Sequence, residues 1–364
     1  MATRSRQTQS KTGLPKKSTP RRAQGKKSGP EWTRLSNEEL LDVRICDLKL
    51  SLAGTVVERC LQQLHREMQG RGLRLKPHCW LSDDWFSPDG IPGIAVPFYM
   101  AHPRLKRLER NQMLEVEGGT RSWCMQILRH EAGHAMDTAF RLHRRKKYRE
   151  CFGKYSDPYP ESYKPKPHSK SYVIHLEQWY AQSHPSEDFA ETFAVWLQPR
   201  KNWRRDYAGW EALQKIEYVD QLMTELKAQP PKVKSRVKVD PVSRMRQTLR
   251  EHYAERLARY DVSWCESLDG ELKKLFVKKS KNSRNMAAAD FLRKNRGELC
   301  ELVTHWTGEY QYNTERVLRE MMSRCSELKL CVRGSQSRML QNTIAMLTVH
   351  TMQNLNGGQN RVAL

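Results

Sequence analysis

The residues best placed to do chemistry are His130, Glu131 and His134, in the run Arg129-His-Glu-Ala-Gly-His. On a helix, two histidines four residues apart lie on one face about a turn apart, so their imidazoles can converge on one metal ion. Glu131 then flanks the metal's open side, where a carboxylate can take a proton from water. The neighbouring residues supply that helix. Trp123, Ile127, Leu128, Ala132, Ala135, Met136 and Phe140 make a broad apolar face between Thr120 and about Arg144.

A hydrolytic zinc site takes three protein ligands and leaves a fourth position for water. A third histidine six residues beyond the second, with glycine between, would complete an all-histidine set, but those positions hold Phe140 and Asp137. Asp137 lies on the right face one turn too far along to close a tetrahedron, so a supporting or salt-bridge role is expected for it. His143 is farther still. The run Ser186-Glu-Asp-Phe-Ala-Glu is the better source. Glu187 and Glu191 share one face of a second helix that begins near His184 and stops at Pro199. Two carboxylates facing an apolar interior need a cation or a hydrogen-bond donor. One can ligate the metal, and the other can accept the outer N–H of a ligating histidine.

From about residue 35 to 225 the sequence resembles the bacterial family of zinc-binding metallopeptidases of gluzincin type. The resemblance rests on Trp80 to Gly90 (WLSDDWFSPDG), Glu115 to Gly119 (EVEGG), Arg129 to His134 and Trp179 to Trp196 (WYAQSHPSEDFAETFAVW). It implies one Zn²⁺ per chain, held by His130, His134 and Glu187, with Glu191 one turn later as the carboxylate behind a ligand. It also implies that Tyr180 stabilises the oxyanion. The expected reaction is hydrolysis of a peptide bond in a peptide or protein substrate, with Glu131 as general base and proton carrier to the leaving amine.

The elements around these helices are read from periodicity and turn signals. Val56, Val57, Cys60, Leu61, Leu64 and Met68 recur at helical spacing, ending near Gly70 to Gly72. Leu73 to Leu75, His78 to Leu81 and Gly93 to His102 look like strands separated by turns such as Ser87-Pro-Asp-Gly. Pro97 places the last of them at a sheet edge, where an extended peptide substrate is expected to pair along Ile94 to His102. Residues 153–171, rich in Pro, Tyr, Ser and Lys, read as a long loop or flap. Trp203, Tyr207 and Trp210 read as core or domain-contact aromatics.

The expected fold class is α+β. A gluzincin-like zinc peptidase domain over 30–228, with a small mixed sheet, an edge strand, the histidine helix and the glutamate helix, precedes an all-α basic module over 243–364. A linker over 229–242 joins them, marked by Pro230, Pro231 and a run of basic residues. Residues 1–29 carry nine Lys or Arg and no acid, the composition of a disordered basic arm. The chain as a whole has 64 Lys and Arg against 41 Asp and Glu, a formal net charge of +23, and most of the excess lies in the arm and the C-terminal region. With only 38% hydrophobic residues and no long apolar run, membrane integration is excluded; the basic N-terminus lacks an apolar signal core, so a cytoplasmic protein is expected. Nine scattered cysteines with no CxxC pair read as reduced thiols. The competing expectation is a nucleic-acid-associated or scaffold protein with a structural or inactive zinc site, its arm and tail making weak non-specific phosphate contacts. Oligomeric state is not legible.

Overall fold

The computed structural model describes residues 30–113, 115–160, 162–199, 201–259, 268–278, 285–308, 311–356 and 362–363. The basic arm, residues 1–29, lies outside the described residues. The architecture is mixed and mostly helical, with a two-stranded parallel sheet and two hydrophobic cores. Among the described residues no helix is long and apolar enough to cross a membrane. The described cysteines are free thiols, and Cys60, Cys124, Cys300, Cys325 and Cys331 are buried.

Two helices organise the first core. The histidine helix, Arg121–Phe140, starts where the Thr120 side chain accepts from the Trp123 N–H, and it ends at Arg141 in the left-handed region. The glutamate helix, Pro185–Leu197, is capped by His184, begins on Pro185 and ends just short of Pro199. Its residues from Ser186 to Leu197 are all buried, so it is a central helix rather than a surface one. The two helices touch through backbone. A Cβ at Gly133 would lie 2.7 Å from Ala190 Cα and 3.0 Å from Ala190 O, so only glycine permits this approach. A third helix, Val56–Gly70, braces the histidine helix through a buried bidentate pair, Arg129 to Glu67 at 2.8 and 2.9 Å.

Strands β1, His78–Ser82, and β2, Gly93–Pro97, pair in parallel with His78 opposite Gly93 and Ser82 opposite Pro97. Leu73 and Leu75 are buried, with Arg74 exposed between them, but the stretch lies outside any ladder. The edge expected along Ile94 to His102 is not available. Every residue of β2 is buried, the Ala95 N–H donates to Phe86 O at 2.8 Å on its far side, and Phe98–Ala101 turns into a 3₁₀ helix. Pro97 closes the strand instead of lining a free edge, because the pairing capacity of β2 is already used within the fold.

The segment expected as a linker runs as a strap along the first core. Lys232 and Val233 N–H groups share Ala139 O at 2.9 and 3.0 Å. His78, Trp80 and Ser82 side chains then bond the carbonyls of Val237, Val239 and Asp240 at 3.0, 2.7 and 2.7 Å, along the outer flank of β1. Beyond the strap, Leu249 and Tyr253 of helix Leu249–Arg259 belong to the first core. The second core gathers Phe276, Phe291, Val303, Leu318 and Met321 from the C-terminal helices. It also contains a two-residue antiparallel ladder, Val277–Lys278 with Leu330–Cys331, so this region is not purely helical. Two residues carry no readable alternation, which is why the ladder leaves no trace in the periodicity.

The Gly133 contact predicts a specific cost. Gly133→Ala gains about 1 kcal/mol of helix propensity but forces two backbones apart, an overpacking cost of about 1–3 kcal/mol. The net expectation is destabilisation, read as a lower urea midpoint. A midpoint unchanged or raised would show that the helices are not held at backbone contact.

Candidate metal centre

The helix contact at Gly133 and Ala190 brings His130, His134 and Glu187 together. Glu187 Oε2 lies 3.0 Å from His130 Nε2 and 3.1 Å from His134 Nε2, and the two Nε2 atoms are 3.1 Å apart. Three potential donor atoms this close can be held together by shared protons or by a metal ion. Tetrahedral zinc with bonds of about 2.0–2.1 Å spaces its ligands about 3.3–3.4 Å apart, so a few tenths of an ångström of side-chain rotation admits it. These three residues form a cluster with metal-holding geometry.

Glu191 stands behind the centre. Its Oε1 accepts from His130 Nδ1 at 2.8 Å, and its Oε2 accepts from the Leu176 N–H at 2.8 Å. That bond directs the proton of His130 to Nδ1 and turns Nε2 towards Glu187. Asp188, between the two glutamates, points elsewhere and binds Lys215 Nζ at 2.6 Å. Burial pushes the Asp188 carboxyl up to about 7 against the pull of Lys215. Asp137 accepts from His143 twice, at the backbone N–H and at Nδ1, both 2.8 Å. Both residues therefore serve a salt bridge next to the metal cluster and stand outside the ligand set.

A cavity of about 260 Å³ opens on the cluster. Trp85, Phe86, Ser87 and Asp89 form one wall, and Tyr155, Tyr159 and Tyr180 contribute to its lining. Glu131 lines it too, 6% exposed, with Oε2 buried and lacking a hydrogen-bond partner among the described residues. Burial raises its pKa, opposed by the adjacent His130 and His134 and reinforced by Glu187 and Asp84. Tyr180 places its ring 5.6 Å from that of His130 and follows two residues, Gln178 and Trp179, that both adopt positive φ. Non-glycine residues in that region are strained, and two in succession mark a turn held in place by its surroundings.

The loop at 153–171 contributes more than its composition suggests. Tyr159 OH donates to Glu187 Oε1 at 2.6 Å, and Tyr155 OH bonds Asp89 on the facing wall. Neither tyrosine sits in a recognisable spacing, so no sequence signal pointed to either one.

A paired-histidine helix joined to a carboxylate from a second helix makes a three-donor cluster that could hold a metal ion. Residues 103–232 match the family model described as "Putative zinc-binding metallo-peptidase". The matched stretch contains His130, Glu131, His134, Tyr159, Tyr180, Glu187 and Glu191, but not the wall from Trp85 to Asp89. No curated protein and no solved structure matches the chain.

The geometry separates the three neighbouring acids by experiment. Glu187→Ala should abolish tight zinc binding, Glu191→Ala should weaken it by about 10–100-fold, and Asp188→Ala should leave it intact while destabilising the fold by about 3 kcal/mol through the stranded Lys215. Zinc titration and urea unfolding of the three variants read this directly, and a larger zinc loss in Asp188→Ala would refute the assignment. Burial favours neutral imidazoles, but Glu187 and Glu191 outweigh it and hold the His130 pKa well above its usual value; His134 is raised too, by Glu187. Zinc must displace those protons, so its apparent affinity should fall as pH falls and keep rising above pH ~6.5. Proton release measured calorimetrically in two buffers checks the sign.

Proposed function

We propose that the chain is a zinc-dependent metallopeptidase of gluzincin type, with zinc held by His130, His134 and Glu187 and with Glu131 as the general base. The observation that carries this reading is the pairing of a three-donor cluster with an unpartnered buried carboxylate in the same cavity. A structural site would close all four positions with ligands, whereas this one offers three and a base. The matched family description supports the same assignment.

A bound zinc supplies Lewis acidity to a substrate carbonyl and to water. Glu131 does the proton work. Its free Oε2 accepts a proton from the attacking water and returns it to the departing amine nitrogen. A carboxyl whose pKa is raised by burial holds that proton more readily than an exposed one, which suits a group that must first take it and then give it up. Glu191 keeps the His130 ring oriented through Nδ1. Tyr180 lines the cavity, and we assign to it the hydrogen bond to the developing oxyanion. We place the substrate against the wall from Trp85 to Asp89, since the stretch from Gly93 to Met100 is buried.

Glu131→Gln is the discriminating variant. It should keep about one zinc per chain and lose peptide hydrolysis by about 10²–10⁴-fold, since it removes a base and no ligand. Metal content by elemental mass spectrometry and turnover of a peptide library test both halves. Wild-type turnover in that variant would end the mechanism, and a wild-type protein that takes up no zinc would end the reading.

A further inference from the structure

Glu187 has two carboxylate oxygens with separate partners. Oε2 faces the Nε2 atoms of His130 and His134, at 3.0 and 3.1 Å, and Oε1 accepts from Tyr159 OH at 2.6 Å. The division matters because a carboxylate can offer a metal one oxygen or both. A second oxygen would take up the position that a hydrolytic centre must leave open. A phenol O–H seated on Oε1 competes with that second bond.

The phenol is itself held from two sides. Its ring stacks on His184 with centroids 3.8 Å apart and planes 15° apart, and its oxygen also touches Ser186 Oγ. His184 is buried, and its Nδ1 accepts from the Ser186 N–H at 3.1 Å. The proton therefore sits on Nε2, which donates to Asp157 O at 2.8 Å, two residues before Tyr159. One histidine thus caps the glutamate helix, pins the loop and backs the tyrosine ring.

On the zinc-peptidase reading, on which this inference rests, we propose that Tyr159 is a positioning residue that confines Glu187 to ligation through Oε2 alone, making the loop from Asp157 to Tyr159 part of the metal centre. Tyr155 provides the internal comparison. It lies in the same loop, but its hydroxyl bonds Asp89 and no ligand.

The test uses the full chain loaded with Co²⁺ as a spectroscopic probe, as wild type, Tyr159→Phe and Tyr155→Phe. Tyr159→Phe removes the hydroxyl and keeps a ring to stack on His184. It should still bind one Co²⁺, with affinity lowered by about 10–100-fold, and its visible absorption should weaken as an added carboxylate oxygen raises the coordination number. For any peptide the wild type cleaves, kcat should fall with KM little changed. Tyr155→Phe should match wild type in Co²⁺ affinity and spectrum. A Tyr159→Phe protein with wild-type affinity and spectrum would overturn the proposal even if activity fell. So would the same spectral change in Tyr155→Phe, which would trace the effect to loop placement. A wild type that binds Co²⁺ but cleaves no peptide leaves the spectrum to decide, whereas a wild type that binds no Co²⁺ would remove the zinc reading and this proposal together.

Discussion

The centre depends on two helices meeting at backbone contact. Packed helices usually sit 8–10 Å apart, the distance being set by the side chains between them. Here the side chains at the crossing are a hydrogen atom on Gly133 and a methyl on Ala190. Gly133 lies between the two histidines, and Ala190 lies between the two glutamates. The crossing therefore sets Glu187 against both Nε2 atoms and Glu191 against the opposite nitrogen of His130. A bulkier residue at either position would lengthen every one of these distances together. The ligand set is in that sense one contact rather than three independent placements.

That contact forces carboxylates into a hydrophobic core, and the fold answers each burial with a partner. Glu187 meets two imidazoles, Glu191 an imidazole and an amide, Asp188 a lysine and Asp137 a histidine. Buried charge without such partners is expensive, which explains why Lys215 and His143 are drawn in from other elements. Glu131 is the departure from the pattern. Its neighbours are histidines that a metal would occupy, and its free oxygen opens into the cavity. Asp188 Oδ1 and Glu109 Oε2 are also buried without a partner among the described residues, but of the three acids only Glu131 lines the cavity.

The sequence showed the two helices, the histidine pair and the glutamate pair because each follows a short-range rule, the spacing of four, the cap and the terminating proline, whereas the choice of Glu187 over Glu191 came from the family resemblance. It also placed Val56–Gly70 and the buried aromatics Trp203 and Tyr207. Long-range satisfaction of polar groups was not legible. Nothing in the spacing says that Phe86 closes the far side of β2, or that the carbonyls at 237–240 meet His78, Trp80 and Ser82. The prolines and basic residues of that strap advertise a lack of apolar burial, which is true, yet its order comes from hydrogen bonds. Tyr159 escaped for the same reason, since its role is set by a partner 28 residues away.

The same logic moves the physical boundary of the first core beyond the strap. Arg256, on the helix after the strap, binds Glu109 at 2.8 Å, and Glu109 is only 1% exposed. A unit ending at residue 228 would thus lose Leu249 and Tyr253 from its core and leave Glu109 without its guanidinium. The stretch matched by the family model holds His130, Glu131, His134 and Glu187. Arg256, the cation that pairs with Glu109, lies outside that stretch, as does the cavity wall from Trp85 to Asp89. By shared packing and ion pairing, the first core runs from Trp32 to at least Arg256.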